Sequence, residues 1–295
     1  MRIGIDLGGT KIALIALSEQ GETLYQQRMA TPKGDYLATV QAIAGLVDRA
    51  ERKVNCIAQS VGVGIPGAVS QKTGRIKNAN SICLIGQDLQ GDLQTALNRP
   101  VKLANDANCF ALSEAIDGAA QGADVVFGVI IGTGCGGALV VNQRILSGAN
   151  AIAGEWGHNP LPWRNDQDIA LDCYCGLQGC NETFLSGSGL ERHYQQRGGT
   201  ALSAQNIEAL SEQKNPLAAA LLDDYIIWLA KGLASVINVL DPDVIVLGGG
   251  MSNVARIYRD VPALWSQWVF SDEVNTRLVP PKFGDASGVR GAAWL

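Results

Sequence analysis

The sequence predicts an α/β protein built from two similar lobes, each organised around a glycine turn between two strands. Residues 3–17 alternate apolar positions up to a glycine turn and then resume as a second apolar run, and residues 129–141 repeat this arrangement. Between and after these two hairpins, helical and strand patterns alternate along the chain. An internal repeat of this size indicates a duplicated domain, with one turn in each half facing across a cleft.

Length and composition agree with a globular protein of two domains. The 295 residues are 47% hydrophobic and 17% charged, an ordinary balance that provides a real core. The net charge of −5, without a basic tract, argues against nucleic acid as a partner. We expect no membrane segment and no signal peptide, because no apolar run is long enough and the chain begins directly with a strand pattern. Seven cysteines, partly clustered, fit a reducing cytoplasm.

The first hairpin contains a candidate phosphate-binding turn. Gly8-Gly9-Thr10 separates its two strands, and successive backbone N–H groups in such a turn can bind an anion. Asp6 at the strand end and Lys11 just past the turn would add a carboxylate on the magnesium side and a cation. An ordinary hairpin has the same pattern, so both interpretations remain open from this segment alone.

Three further glycine runs bear on nucleotide binding. Gly132-Thr133-Gly134 occupies the same place in the second hairpin as the first turn does in its own. Residues 62–67 and 132–137 match G-x-G-x-x-G, but neither run opens a helix, as the dinucleotide-binding motif requires. Residues 248–250 do lead into a helical pattern, without the later acidic residue of that motif. Adenosine could lie against Gly249 and Gly250, where missing side chains allow close approach.

The segments between the hairpins read as alternating helices and strands. Strands are predicted at 56–65, 101–104 and 243–247, and helices at 35–52, 88–98, 105–118, 204–239 (two or three), 253–270 and 285–295. No low-complexity linker separates the domains. We predict a first lobe of residues 1–118 plus 285–295 and a second lobe of residues 119–284.

Asp106 begins the helical pattern that follows the strand 101–104. An aspartate at a helix N-terminus stays ionised in the positive end of the helix dipole, so it could accept a proton from a substrate hydroxyl. The same residue type is also the ordinary N-cap, which is its commoner use at this position. Spacing leaves both roles open.

Residues 154–182 contain a complete ligand set for a structural zinc ion. Cys173, Cys175 and Cys180 are spaced C-x-C-x4-C, and His158 lies fifteen residues upstream. Three thiolates and one imidazole close a tetrahedral zinc site without leaving a position for water. The two glycines between the second and third cysteines allow the backbone to turn tightly enough. The alternative is a set of reduced core thiols.

Seven motifs, in order between residues 4 and 250, resemble the ROK family (repressor, open reading frame, kinase) of sugar kinases. This family belongs to the superfamily of ATPases that includes actin and hexokinase. The resemblance implies a two-lobed actin-like fold with a ribonuclease H-like motif and a central cleft for ATP and sugar. The motifs are Asp6-Leu7-Gly8-Gly9-Thr10-Lys11, Gly64-Ile65-Pro66-Gly67, Asn105-Asp106-Ala107-Asn108, Gly132-Thr133-Gly134, Gly154-Glu155-Trp156-Gly157-His158, the cysteine run ending at Glu182, and Asp241-Pro242-Asp243 with Gly248-Gly249-Gly250.

The resemblance also implies a role for each candidate residue. Asp106 would be the general base that deprotonates the 6-hydroxyl of a hexose as it attacks the γ-phosphate of ATP. The implied sugar contacts, with Asn80 taken from the polar loop 77–81, are Asn80, Asn105, Asp106, Glu155, His158 and Glu182. The implied contacts to ATP and Mg²⁺ are Asp6, Gly8, Gly9, Thr10, Lys11, Gly132, Thr133, Gly134, Gly249 and Gly250. A zinc ion on His158 and the three cysteines would fix the loop that presents Glu155 and Glu182. His193, in a charged helix, is predicted to lie on the surface.

The expected substrate is D-fructose, phosphorylated to fructose 6-phosphate. Residues 130–136 and 154–163 resemble bacterial fructokinases (manno-fructokinases), whereas residues 11–14 are closer to N-acetylglucosamine kinases, which is the alternative. Two other classes are a sugar-responsive ROK regulator and a nicotinamide oxidoreductase. The regulator would carry a winged helix before the first strand, and the oxidoreductase rests on residues 243–253 alone. The expected partners are the sugar, ATP and a second copy of the chain in a homodimer.

Overall fold

The computed structural model describes residues 1–79 and 81–295, so the predicted sugar contact Asn80 lies outside the described residues. The chain forms two compact units. The first comprises Met1–Gln121, Gln143–Ala151 and Lys282–Leu295, and the second comprises Gly122–Asn142 and Ile152–Pro281. The predicted lobes placed residues 143–151 in the second unit instead. Their short strand, Arg144–Ile145, packs on the helix Asp106–Ile116 of the first unit, a tertiary contact that no local pattern encodes.

The described residues form the following elements. The strands are β1 (Arg2–Leu7), β2 (Lys11–Leu17), β3 (Thr23–Ala30), β4 (Val61–Ile65), β5 (Ala68–Val69), β6 (Ile76–Lys77), β7 (Val101–Asn105), β8 (Val125–Ile131), β9 (Cys135–Val141), β10 (Arg144–Ile145), β11 (Val244–Gly248) and β12 (Arg277–Val279). The helices are α1 (Tyr36–Val54), α2 (Leu89–Leu97), α3 (Asp106–Ile116), α4 (Asn181–Leu185), α5 (Gly187–Gln196), α6 (Ala204–Glu212), α7 (Pro216–Leu240), α8 (Arg256–Leu264) and α9 (Ser287–Ala293).

The first unit is built on a mixed sheet of order β3-β2-β1-β4-β7. The first three strands are antiparallel, whereas β1, β4 and β7 run parallel, which brings their carboxyl ends to one edge. Helix α1 covers the sheet with apolar residues at helical spacing, among them Val40, Ile43 and Val47. It begins after the N-cap Asp35, whose carboxylate accepts the Ala38 N–H at 2.9 Å.

Helices α3 and α9 pack against each other more closely than side chains allow. A Cβ on Gly291 would lie 1.6 Å from the carbonyl oxygen of Cys109, so only glycine permits this crossing. Further along, the fully buried Glu114 accepts hydrogen bonds from the Ser287 hydroxyl at 2.6 Å and the Lys282 N–H at 3.0 Å. The C-terminal helix is therefore the platform for the helix that begins at Asp106.

The second unit has its own sheet, with strand order β9-β8-β11-β12. Strands β8 and β9 form the predicted hairpin, while β11 runs parallel to both β8 and β12. The 25-residue helix α7 supplies much of the core, including the fully buried Tyr225, Trp228 and Leu229. Two separate sheets, each with a glycine-turn hairpin, confirm the predicted two-lobed fold.

Several predicted boundaries are wrong for identifiable reasons. The strand predicted at 56–65 begins only at Val61, because the Ala58 backbone bonds the side chains of Glu51 and Arg99 instead of a neighbouring strand. The prediction contained neither β3, a largely polar strand, nor β12, which has only three residues. Of the described helices, none combines the length and the apolar character needed to cross a lipid bilayer.

Candidate active site

In the first unit, several of the predicted polar residues lie at the carboxyl ends of three parallel strands. Asp6 on β1 pairs with Gly64 on β4, and the next residue of β4, Ile65, pairs with Asn105 at the end of β7. The Asn105 side chain donates to the Gly67 carbonyl at 2.9 Å, which ties β7 to the loop after β4. A ligand at this sheet edge would therefore meet residues from three of the predicted motifs.

Asn105, rather than Asp106, is the N-cap of α3. Its side-chain oxygen accepts the Ala107 N–H at 2.8 Å, and its backbone is extended, as expected of an N-cap. Asp106 is the first helical residue, and its Oδ1 accepts the same N–H at 2.8 Å. Since Asn105 already caps the helix, the carboxylate of Asp106 is not needed as the cap.

The two carboxylates of this edge affect each other. The side chain of Asp106 is accessible to solvent, yet the surrounding protein desolvates it enough to raise its pKa, against hydrogen bonds that favour the charged form. Burial is also the main reason that the pKa of Asp6 is raised, and the charge of Asp106 raises it further. Lys11 opposes both effects on Asp6. A cation beside Asp6 would relieve this repulsion.

The first glycine turn is short and firmly held. The Gly8 N–H donates to the Lys11 carbonyl at 3.0 Å, which closes the turn between β1 and β2. The Thr31 hydroxyl donates to the Gly8 carbonyl at 2.7 Å, and the Thr31 N–H donates to the Thr10 carbonyl at 3.0 Å. The predicted residues Gly8, Gly9, Thr10 and Lys11 therefore lie together on one rigid turn.

In the second unit, the turn between β8 and β9 lines a cavity of about 540 Å³. Gly132 and Thr133 form one wall, and Gly250 forms another. A Cβ on Gly249 would lie 2.6 Å from the Ile131 carbonyl, which keeps the glycine run close to the turn. This volume is in the range of small-molecule sites, and the nucleotide residues predicted for this unit lie in or beside it.

The segment 154–158 is fixed to β9 so that its polar side chains face outwards. The Trp156 indole N–H donates to the Gly136 carbonyl at 3.0 Å, and its buried ring meets Phe127 edge-on. A Cβ on Gly157 would lie 2.0 Å from the Cys135 carbonyl, so glycine is required there. With Trp156 anchored inwards, the side chain of Glu155 is exposed and that of His158 is half-buried.

Glu182 lies in the first turn of α4, next to the same strand. Its Oε2 accepts the Cys135 N–H at 3.0 Å, and its own N–H donates to the Gly157 carbonyl at 2.8 Å. Two of the predicted sugar contacts, Glu182 and His158, are thereby positioned from one stretch of backbone.

The predicted metal ligands of the second unit come together. One ligand atom each from His158, Cys173, Cys175 and Cys180 can be chosen so that all four lie within 4.8 Å of one another. The distance from His158 Nδ1 to Cys173 Sγ is 3.5 Å, and that between the sulfurs of Cys175 and Cys180 is 3.6 Å. Tetrahedral zinc gives ligand–ligand distances of about 3.5–3.8 Å. The donor set and its spacing therefore fit a zinc ion.

The backbone around the cysteines explains how they converge. Gly176 and Gly179 both have positive φ, 90° and 71°, a conformation that glycine adopts without strain. The loop before them is anchored by Asp168, which accepts hydrogen bonds from the Trp228 indole N–H at 2.6 Å and the Lys231 ammonium at 3.0 Å. All three side chains are buried, so the cluster stands on a fixed base.

A model of the ROK family matches residues 2–295, which is nearly the whole chain. The chain belongs to the ROK family. N-acetyl-D-glucosamine kinase from Vibrio cholerae serotype O1 is 40% identical over 300 aligned residues, which cover 100% of this chain and 99% of that protein.

Two solved structures of ROK proteins share the fold. The ROK hexokinase from Thermus thermophilus has a TM-score of 0.89 and 31% identity, covering 99% of this chain and 96% of that one. A ROK family glucokinase from Streptomyces griseus, in complex with glucose and AMPPNP, has a TM-score of 0.75 and 29% identity, covering 99% and 97%.

Sequence reasoning missed one side of the cavity in this ROK chain. Ser188, Glu191, Gln205 and Glu208 line it from α5 and α6, and Asn253 lines it from the turn after β11. The run of small residues at 186–189, directly before and inside the start of α5, is the signal that could have indicated a ligand there.

The prediction for His193 was wrong, because this residue is buried rather than on the surface. Its ring stacks on Phe184 and lies 4.7 Å from the ring centre of Trp228. Burial, with Arg197 and Arg192 nearby, lowers the pKa of His193 to about 4, so it is neutral at pH 7. Helix α5 is amphipathic, and its charged residues hid the apolar stripe to which His193 belongs.

Proposed function

We propose that this chain is an ATP-dependent kinase that phosphorylates N-acetyl-D-glucosamine at its 6-hydroxyl. The observation that supports this substrate is the 40% identity, along the whole chain, to the N-acetyl-D-glucosamine kinase of Vibrio cholerae. The kinase activity is supported by the geometry at Asp6, Asp106 and the two glycine turns. This proposal replaces D-fructose, which rested on the local resemblance of residues 130–136 and 154–163 to fructokinases, with the alternative that residues 11–14 favoured.

Asp106 is proposed as the general base. Its free carboxylate lies at the carboxyl edge of the first sheet, while Asn105 caps the helix. A raised pKa makes the carboxylate a better proton acceptor, since base strength near the working pH favours proton transfer. The 6-hydroxyl loses its proton to Asp106 as its oxygen bonds to the γ-phosphorus and the bond to the ADP oxygen breaks.

Asp6 and the two glycine turns are proposed to hold the phosphates. The Gly8 and Gly132 N–H groups close their own turns. The backbone N–H groups of residues 9–10 and 133–134 would donate to phosphate oxygens, and Lys11 would add a positive charge. Mg²⁺, when bound with ATP, neutralises charge that develops on the phosphate oxygens. Asp6 fits this ion because its carboxylate is desolvated and lies in the field of Asp106. The cavity beside Gly132 and Gly250 would take the nucleoside.

The residues proposed for sugar recognition are the ones that the family resemblance implies, namely Asn105, Asp106, Glu155, His158 and Glu182. Carboxylates accept hydrogen bonds from neighbouring hydroxyls, which suits a pyranose. His158 Nε2 lies 2.9 Å from the Tyr174 hydroxyl while Nδ1 points to Cys173, so any contact of His158 with sugar competes with Tyr174.

The three cysteines and His158 are proposed to bind one structural zinc ion. Such a site leaves no position open for water, so its role is to order the loop rather than to react. The loop continues directly into Glu182, two residues after Cys180. Zinc would therefore hold a sugar contact in place through the backbone.

Steady-state release of ADP with a panel of sugars tests the function. We expect the highest kcat/KM with N-acetyl-D-glucosamine, and much lower values with N-acetylmannosamine, glucose, mannose and fructose. A pocket that binds the acetamido group rejects a sugar without it strongly, because buried polar groups would be left unpaired. Fructose as the best substrate would restore the first substrate prediction. Sugar binding without turnover would indicate a regulator instead.

A further inference from the structure

We propose that Glu182 is also a positioning residue for the phosphate-binding turn 132–134, and that it couples sugar binding to nucleotide binding within the second unit. This inference rests on the proposed function, because it needs a nucleotide at that turn. Positioning the turn is a second role for Glu182, separate from contact with the sugar.

The carboxylate of Glu182 is bonded to the residue that directly follows the turn. Oε2 accepts the N–H of Cys135, the first residue of β9, at 3.0 Å. The same oxygen lies 2.8 Å from the place where a Cβ on Gly134 would be, so a side chain there would displace the carboxylate. Gly134 does not have positive φ, and its small size is therefore explained by Glu182 rather than by its backbone conformation.

The residues that follow Glu182 hold the rest of the turn. The Gly187 N–H donates to the Gly132 carbonyl at 2.7 Å, and the Ser188 hydroxyl donates to the Thr133 carbonyl at 2.7 Å. Together with the bond to Cys135, these contacts fix the turn to the segment 182–188 at three successive points. Because residues 132, 133, 187 and 188 line the cavity, its shape depends on these bonds.

The backbone of Glu182 is linked to other predicted sugar contacts and to the metal cluster. Its N–H donates to the Gly157 carbonyl next to His158, and Cys180 precedes it by two residues. Among residues 1–79 and 81–295, Oε1 accepts no hydrogen bond, so it is the oxygen available to a sugar hydroxyl. One side chain would thus link the two sites, because a sugar hydroxyl that fixed the carboxylate would also fix the turn.

Hydrogen exchange and nucleotide titration of three chains test this role: wild type, Glu182→Gln and Glu182→Ala. The amide oxygen of glutamine can accept the Cys135 N–H, whereas alanine cannot. In the absence of sugar, we expect Glu182→Ala to speed exchange of the Cys135 amide and to weaken ADP binding, each by about 10-fold or more. Glu182→Gln should stay within about 3-fold of wild type in both, although both variants lose sugar affinity.

Glu155→Ala is the matched control, since Glu155 is another predicted sugar carboxylate of the second unit and has no bond to the turn. It should weaken sugar binding and leave ADP affinity and exchange unchanged. Amides of β11 serve as the reference for global unfolding. Unchanged exchange in Glu182→Ala overturns the proposal, as does equal loss of ADP affinity in the glutamine and alanine variants. The exchange result needs no ligand, so a wild-type chain that binds no ADP overturns the proposed function separately.

Discussion

At the scale of single residues, Asp106 is the group on which the proposed chemistry depends. Replacing it with asparagine keeps the size and the hydrogen bond to Ala107 but removes the ability to accept a proton. We expect kcat of Asp106→Asn to fall by about 10²–10⁴, with little change in sugar affinity, as for the loss of a general base. Steady-state kinetics with sugar titration by calorimetry measures both. A large loss of sugar affinity with unchanged kcat would make Asp106 a ligand only.

His193 allows a prediction about stability and pH. Its pKa in the folded chain is about 4, below the ordinary value of 6.5, so the unfolded chain binds the proton more tightly. Its contribution to stability is complete above pH 6.5 and is lost as the pH falls towards 4. When the pH is lowered from 6.5 to 4.5, the free energy of unfolding should fall by about 2–3 kcal/mol more in wild type than in His193→Phe. Urea unfolding of both proteins at both pH values measures this difference. Equal losses of stability in wild type and His193→Phe would contradict the prediction.

The sequence predicts residues in local motifs well, and it does not predict features that depend on tertiary contacts. Asp106, Gly134 and the cysteines stand in short local patterns, and the structure has them at a helix start, in a turn and in one cluster, as the patterns predict. Their chemical roles stay predictions. The pattern could not show that Asn105, and not Asp106, is the N-cap. Both side chains accept the Ala107 N–H, and only the backbone conformation decides which residue is the cap. His193 was misplaced because its burial depends on Phe184 and Trp228, which are distant in sequence.

At the scale of elements, the loop with the cysteines should depend on its metal. We expect about one zinc ion per purified chain, and Cys175→Ser should lower both the zinc content and the melting temperature. Cys56→Ser is the control, since Cys56 is exposed and lies outside the cluster. Elemental analysis and thermal denaturation are the measurements. Freshly purified wild type without zinc would refute the metal proposal.

Helix α9 offers a comparison between two of its own glycines. An added Cβ at Gly291 would overlap the Cys109 carbonyl of α3, whereas one at Gly288 would meet no atom within 4 Å. Gly291→Ala should therefore destabilise the chain by about 3 kcal/mol or more. Gly288→Ala should be neutral or stabilising by up to about 1 kcal/mol, because alanine favours the helix. Equal effects in denaturant unfolding would show that the close crossing does not determine stability.

Element types were predictable where periodicity was strong, and boundaries were not. The hairpins and α1 have clear apolar periods, so their positions agree closely with β1, β2, β8, β9 and Tyr36–Val54. The region predicted as helical at 253–270 has an α-helix only at Arg256–Leu264, with 3-10 turns on both sides. A short pattern cannot distinguish these two helix types, because periods of 3.0 and 3.6 residues differ little over a single turn.

At the scale of the whole molecule, the duplicated hairpins carried most of the fold prediction. Each hairpin is a local feature that the sequence encodes directly, and each lies in its own sheet. The membership of residues 143–151 was not predictable, since it depends on packing against α3. The candidate residues for catalysis and sugar binding come from several separate motifs, so no single motif identified the function.

The homodimer expected from the sequence stays a prediction, and one surface of the second unit supports it. Phe270 is 99% exposed and Val239 is 89% exposed. The Asn238 side chain donates to the Trp268 carbonyl at 2.9 Å and accepts the Phe270 N–H at 2.8 Å. These bonds attach the segment of Phe270 to the end of α7, which carries Val239. Exposed apolar groups mark protein interfaces, and a second copy of the chain is a partner that is always available.

Light scattering after size exclusion tests this prediction. Wild type should have twice the chain mass of 31.1 kDa. The double variant Val239→Ser, Phe270→Ser should shift towards a single chain, because serine removes the apolar area that association would bury. Ile57→Ser is the control, since Ile57 is also strongly exposed, at 75%, but belongs to the first unit. A monomeric wild type, or a double variant that remains dimeric, would assign these side chains no role in assembly.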